Sequence, residues 1–319
     1  MSIEILSAGF STTVQDPGRR GFAALGVSLA GAADAYSLRI GNLLVGNDET
    51  AAGLEISLLG PTLRFVGATR IAITGASIDA QCEGQALAGW RAIDLPAGAE
   101  LRLGNCVRGA RSYVSVLGGV QTPLVLGSRA TDLRGGLGGM EGRALRRGDQ
   151  LPTAPRINLA VTRLHVHPRW VNPLPDLDLA NPTRLRVLPG SDELVRGQSL
   201  ADHAWTVDPR NNRQGVGLNG PHLAAADTND RVSEPVMPGT IQLPPDGRPI
   251  ILGVDAQTVG GYPRIAHVIR ADWPRLAQLR AGDVLAFLAV DYSQADAAWR
   301  AQRARIERIS LALTVAIGN

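Results

Sequence analysis

Three short stretches carry residues able to do chemistry. The densest is Asp255-Ala256-Gln257-Thr258-Val259-Gly260-Gly261-Tyr262-Pro263, with a carboxylate, an amide, a hydroxyl, two glycines and a phenol. Gly260-Gly261 frees the backbone for positive φ and for close approach by another group. A polar, glycine-containing loop between apolar strands is a common way to build a small-molecule site. The same residues also suit a plain hairpin in which Asp255 and Thr258 only satisfy turn amides. The second stretch is Asn212-Arg213. The third is Asp16-Pro17-Gly18-Arg19, where Asp-Pro-Gly is strong turn chemistry and a solvated turn with a local ion pair is the plainer alternative.

Other features point to less. His165 and His167 lie two apart and would share a strand face, but no third ligand accompanies them, so no metal site is expected. Cys82 and Cys106 fit no CxxC pattern and read as buried free thiols in a reducing cytosol. Glu55 opens a strand, where a salt bridge to an arginine is its expected use. Residues 127–142 are glycine-rich, yet match no P-loop pattern, leaving a flexible loop with an arginine able to meet an anion.

Composition removes whole classes of function. The 32 basic residues are all arginine. Without lysine there is no Schiff base, no P-loop lysine and no attachment point for biotin. A net charge of +3 with scattered arginines argues against nucleic-acid binding. No apolar run approaches 18 residues and no signal-like start is present, so a cytoplasmic, soluble protein without membrane contact is expected.

The elements that must position these residues are mostly short strands. Many Val/Ile/Leu runs, 37 glycines and 20 prolines give a mainly β chain with a few helices. Ile250–Val254 and Arg264–Ile269 flank the densest loop. Asp34 is a suitable N-cap for a helix running to Val45 before Gly46, Asp272 for a short helix, and about Gln294–Leu313 is an amphipathic helix with Trp299, Ile306, Ile309 and Leu313 on one side. Residues 152–183 hold Pro152, Pro155, Pro168, Pro173, Pro175 and Pro182 and read as a linker. The expected organisation is a first β-barrel unit over 1–151, the linker over 152–183, a second β-barrel over 184–290 and a C-terminal helix over 291–319. Two fragments recur in order: Leu145–Leu151 matches Leu279–Leu285, and Gly26–Gly31 matches Gly215–Gly220, each of the latter following an Asp-Pro and an arginine. That suggests two related β units.

Motifs in order along nearly the whole chain resemble one family. They are Thr12–Arg19, Gly26-Val27 with Gly31-Ala32 and Asp34, Leu44–Asn47, Leu54-Glu55, Gly60-Pro61 and Thr74–Ala76, then Asn212-Arg213, Pro238–Gln242, Pro245–Gly247 and Asp255–Pro263. The chain resembles the allophanate hydrolase subunit 2, or KipA-like, carboxyltransferase family. That family includes the C subunit of the prokaryotic 5-oxoprolinase and the matching part of the urea carboxylase carboxyltransferase domain. The resemblance implies two cyclophilin-like β-barrel units. It also implies hetero-oligomeric partners: a KipI-like B subunit and, in the oxoprolinase branch, an A subunit that completes ATP-dependent opening of 5-oxo-L-proline to L-glutamate. In the carboxylase branch the carboxyl group comes from biotin on a separate carrier. A third reading is a non-enzymatic antagonist of a KipI-like inhibitor. Two departures stand out: Ala256, where a basic residue often follows the Asp, and the loop Asn212-Arg213-Gln214-Gly215-Val216, where a Met and an aromatic are common.

Both reactions handle an amide-like group through anionic species, which calls for fixed donors and a proton-handling group. On that basis Asp255, Arg213 and Asp16 are the candidate catalytic residues, with Asp255 as acid/base or orienting carboxylate and Arg213 as anion clamp. Arg19, Asn212, Gln242, Gln257, Thr258, Gly260, Gly261 and Tyr262 are the candidate substrate contacts.

Overall fold

A computed structural model describes residues 2–154, 161–174, 176–180, 182–227 and 232–317; Pro155 and Pro175 of the proline-rich stretch lie outside them. The chain divides into two compact units. One comprises Met1–Arg19, Ala30–Leu174 and Arg305–Asn319; the other comprises Arg20–Leu29 and Pro175–Ala304.

The first unit is a ten-stranded sheet: β1 (Ser2–Ser7), β2 (Ser11–Gln15), β3 (Gly53–Ser57), β4 (Thr62–Phe65), β5 (Thr69–Cys82), β6 (Gln85–Ala86), β7 (Arg91–Leu95), β8 (Glu100–Val116), β9 (Gln150–Pro152) and β10 (His165–Trp170). The main path runs β10-β7-β5-β8-β4-β1-β9, with β2 joined through β3 to β8, and β6 on β5. Alternation along the strands sends Ile3, Ile5, Leu54, Ile56, Leu63, Phe65, Ile71 and Val114 into one apolar core. Each such side chain contributes about 1.5–3 kcal/mol on burial. Helix α1 (Ala35–Val45) starts at Asp34, whose side chain accepts the Ser37 amide, and stops at Gly46 in the left-handed region with φ 85°. Its Tyr36, Ile40 and Leu44 pack with Ile306, Ile309 and Leu313. The strand β10 sits inside the proline-rich stretch and pairs with β7.

The second unit is a closed barrel. Its strands are β11 (Thr183–Pro189), β12 (Ala204–Val207), β13 (Gly215–Asn219), β15 (Thr240–Gln242), β16 (Ile250–Leu252), β18 (Arg264–Val268) and β19 (Val284–Ala289). They close in the order β11-β18-β15-β16-β13-β12-β19, while β14 (Glu234–Pro235) and β17 (Val259–Gly260) form a separate two-stranded ribbon. Leu185, Val187, Trp205, Leu218, Ile241, Ile251, Leu285 and Phe287 fill the interior. Helix α2 (Trp273–Ala277) follows Asp272, but the expected side-chain cap does not form. Asp272, itself fully buried, is drawn instead into a clasp with the half-buried Arg186, accepting from its amide at 2.7 Å and from its guanidinium at 2.6 and 3.0 Å. Helix α3 (Tyr292–Ile317) contains the boundary between the units, and in its first part Trp299 stacks under Arg270, 4.2 Å from the ring centroid.

The repeated fragments have unequal fates. In Leu145–Leu151 and Leu279–Leu285 the same turn is built twice. Arg146 N donates to Asp149 Oδ2 and Arg280 N to Asp283 Oδ2, each at 2.8 Å. Gly148 and Gly282 take φ of 90° and 84°. Their amides reach back to Ile5 O and Val207 O. Likewise Asp16 and Asp208 each accept the amide two residues on, across the proline. The Gly-Val match is not structural: Gly215–Asn219 is a strand, whereas residues 26–31 form none.

Candidate functional site

Barrel register builds the site of the second unit. Gly215 faces Leu252 across the β13–β16 pair. Just beyond it the chains are stitched together: Gly253 N donates to Gln214 O at 2.8 Å and Asp255 N to Arg213 O at 3.1 Å. Position 253 must be glycine, since a Cβ there would lie 2.2 Å from Arg213 O. Asn212 Oδ1 accepts the Gln214 amide at 2.7 Å and shapes the turn. The result is a two-point ion pair: Arg213 Nε and Nη2 donate to the two Asp255 oxygens at 2.7 and 2.8 Å, with 9% and 3% of the side chains exposed. Residues 42 apart in sequence thus meet. The pair holds Asp255 and Arg213 in fixed mutual orientation, and each carboxylate oxygen keeps a second lone pair for a further contact.

Downstream, Thr258 O accepts Val236 N at 2.9 Å and Leu243 N donates to Pro263 O at 2.9 Å, so the loop is fastened at both ends. Gln257, Thr258, Gly260 and Gly261 are half-buried, Tyr262 is 48% exposed, and Ala256 is buried. Gly260 lies against the buried Gln242: a Cβ at 260 would be 2.7 Å from Gln242 Nε2. Sequence reading missed the groups around Gln242. Arg264, its register partner, binds Glu234 and, through its amide, Asp192 at 2.7 Å. His267 Nδ1 lies 3.2 Å from Thr240 Oγ1; burial, aided by the Arg264 charge, lowers the pKa of this imidazole. Their strand alternation was the available signal.

In the first unit Asp16 and Arg19 are buried, so the solvated-turn alternative does not hold. Asp16 accepts from Gly18 N at 2.8 Å, Ser128 Oγ at 2.6 Å and Arg129 N at 2.6 Å. Arg19 donates to Val125 O at 3.1 Å and Ala130 O at 2.5 Å. Both side chains clamp the 125–130 loop. The glycine-rich segment packs over this clamp. A Cβ on Gly138 would come within 2.0 Å of Arg19 Nη2, and its φ is +66°. The Arg134 and Gly135 amides are taken by Asp132, and those of Gly139 and Gly142 by backbone carbonyls. Those four amides are therefore spent within the chain.

A second buried network lies on β3 and β8. Glu55 Oε2 accepts from Ala33 N at 2.9 Å and from the Tyr113 hydroxyl at 2.7 Å, with Arg111 at 3.7 Å from Oε1. Burial, then the Glu55 charge, pushes the Tyr113 phenol well above its usual range, so it remains a donor. Its oxygen in turn accepts Asp34 N at 2.8 Å. At the sheet edge, His165 and His167 stack edge-on, and His167 Nε2 meets Asp94 at 2.9 Å rather than a metal-ligand set. Cys82 and Cys106 are buried and outside any disulfide, and burial raises the Cys82 thiol to about 11.

The family model described as carboxyltransferase domain, subdomain A and B, matches residues 25–289. The chain belongs to this family. It is 38% identical over 314 residues to the C subunit of 5-oxoprolinase from Escherichia coli, covering 97% of each chain. It is 36% identical to the C subunit of 5-oxoprolinase from Haemophilus influenzae, covering 92% of this chain and 93% of that one. The crystal structure of Kluyveromyces lactis urea carboxylase superposes with a TM-score of 0.88 at 30% identity, covering 97% of this chain but 29% of that one. The carboxyltransferase-family resemblance drawn from the motifs, and the mainly β fold it implied, are borne out. Among the described residues no helix is long and apolar enough to cross a membrane.

Proposed function

We propose that this chain is the C subunit of an ATP-dependent 5-oxoprolinase, working with a KipI-like B subunit and an A subunit in the cytoplasm to open 5-oxo-L-proline to L-glutamate. The observation that carries this reading is likeness over 97% of both chains to a 5-oxoprolinase C subunit, where the urea carboxylase match is a fragment of a much longer enzyme. In the net reaction water forms a C–O bond at the ring carbonyl, the C–N bond breaks, and a water proton goes to the freed amine. ATP is a co-reactant of the complex: its terminal P–O bond breaks and a second water is consumed, giving ADP and phosphate, and its phosphates are not assigned to the glycine-rich segment of this chain.

In this reading the Asp255–Arg213 pair sits at the substrate, with Asp255 fixing Arg213 as a clamp for anionic charge. Asn212 shapes that turn. Gln257, Thr258, Tyr262 and the Gly260-Gly261 amides line the fastened loop and meet the substrate. Asp16 and Arg19 act by holding the 125–130 loop. Two buried, reduced thiols suit a cytoplasmic setting. The test is reconstitution with the B and A subunits: glutamate should form from 5-oxoproline only with ATP and only when this chain is present.

A second reading, a carboxyltransferase component acting on a urea- or amide-type substrate, is favoured by the family description and by the fit to urea carboxylase. With no lysine in the sequence, biotin would have to arrive on another chain. Carboxylation that depends on an added biotinylated carrier would select it.

A further inference from the structure

One side chain beside the candidate loop carries a buried, unspent donor. Gln242 is 2% exposed, yet among the described residues its Nε2 has no hydrogen-bond partner. Several other buried carboxamide nitrogens are used, Asn47 Nδ2 donating to Val116 O at 2.8 Å and Gln302 Nε2 to Ala271 O at 3.1 Å, while Asn211 Nδ2 shares the unspent condition. Folds rarely leave a buried donor unspent, because water is lost without replacement. Next to Gln242 in sequence, Ile241 fills the barrel core. The Gln242 amide instead lies against Gly260, in a loop fastened at Thr258 and Pro263.

We propose that Gln242 recognises the substrate's N–C=O group by a paired hydrogen bond, Nε2–H donating to the carbonyl oxygen and Oε1 accepting the ligand N–H. This rests on the reading above that the Asp255–Pro263 loop is the site of an amide-handling enzyme. A carboxamide presents a donor and an acceptor side by side. The ring of a lactam holds its N–H and C=O on one edge, and urea offers the same edge. Two relatives are named for compounds with that edge, 5-oxoproline and urea. Gly260 is the companion requirement, since any Cβ there would press on Nε2.

The test uses the chain in complex with its B and A subunits. Gln242→Met keeps the bulk and removes both hydrogen bonds; Gln242→Glu keeps the acceptor and removes the donor. The KM for 5-oxo-L-proline should rise at least ~10-fold in Gln242→Met, the size of one lost paired contact. The melting temperature should stay equal or rise, because a donor with no partner is being removed. N-methylation of the substrate, which deletes its N–H, should cost the wild type more than it costs Gln242→Met, a non-additive cycle. An unchanged KM, an additive cycle, or a melting temperature that falls in both variants overturns the proposal, the last by showing a structural amide. Turnover by wild type with no Gln242 effect removes this inference alone. If wild type turns over no 5-oxoproline, the functional reading falls. Saturation-transfer NMR with urea then decides the inference: signal lost in Gln242→Met supports it, and signal retained, or absent from wild type, overturns it.

Discussion

Asp255 and Arg213 are two charges taken out of water and spent on each other. Such a pair adds little net stability, but removing one partner strands the other, at about 3–5 kcal/mol. Asp255→Ala should therefore lower the free energy of unfolding in urea by about that amount and abolish turnover of the complex. Full stability and activity in that variant would remove the pair from the site. The residue types were legible in sequence, because Asp, Gln, two Gly and Tyr sit in one loop. Their pairing was not, because Asp255 meets Arg213 only through the β13–β16 register. Nor was the burial of Ala256 or the unspent Gln242 amide, since both depend on neighbours distant in the chain.

The twin turns are the clearest element-level rule. Asp283 accepts the Arg280 amide, and Asp283→Ala should cost about 1 kcal/mol. Asp149 does the same and also takes Arg143 at 2.8 and 2.9 Å, so Asp149→Ala should cost more, about 2 kcal/mol. Thermal unfolding of both variants checks the order; a larger loss for Asp283→Ala would contradict it. Elsewhere, Asp94 on β7 receives Arg70 from β5 and His167 from β10. Burial works to raise this carboxyl, but the Arg70 and His167 hydrogen bonds and charges outweigh it and hold its pKa below the ordinary value. Its stabilisation is thus complete above pH ~4 and lost as pH falls through the depressed value. Acid unfolding of Asp94→Asn should be shallower than that of wild type below pH ~4. Local patterns announced α1 through Asp34 and Gly46. They misread Asp272, because its cap geometry lost to a tertiary partner, Arg186.

For the whole molecule, the β-rich character and the second barrel were legible because short alternating strands leave a period-2 record. The assignment of residues 20–29 to the second unit, and of α3 to both, was not, because such membership is set by tertiary contact alone. The absence of lysine bears directly on activity: any biotin must be carried by another chain, whereas lactam opening needs none from this one. The most direct measurement is glutamate release from 5-oxo-L-proline by the B and A subunits with and without this chain, at saturating ATP and with no biotin carrier present. The expected result is ATP-dependent glutamate when all three are combined and none when this chain is omitted or carries Asp255→Ala. Equal glutamate without the chain, or no glutamate from the complete set, would contradict it.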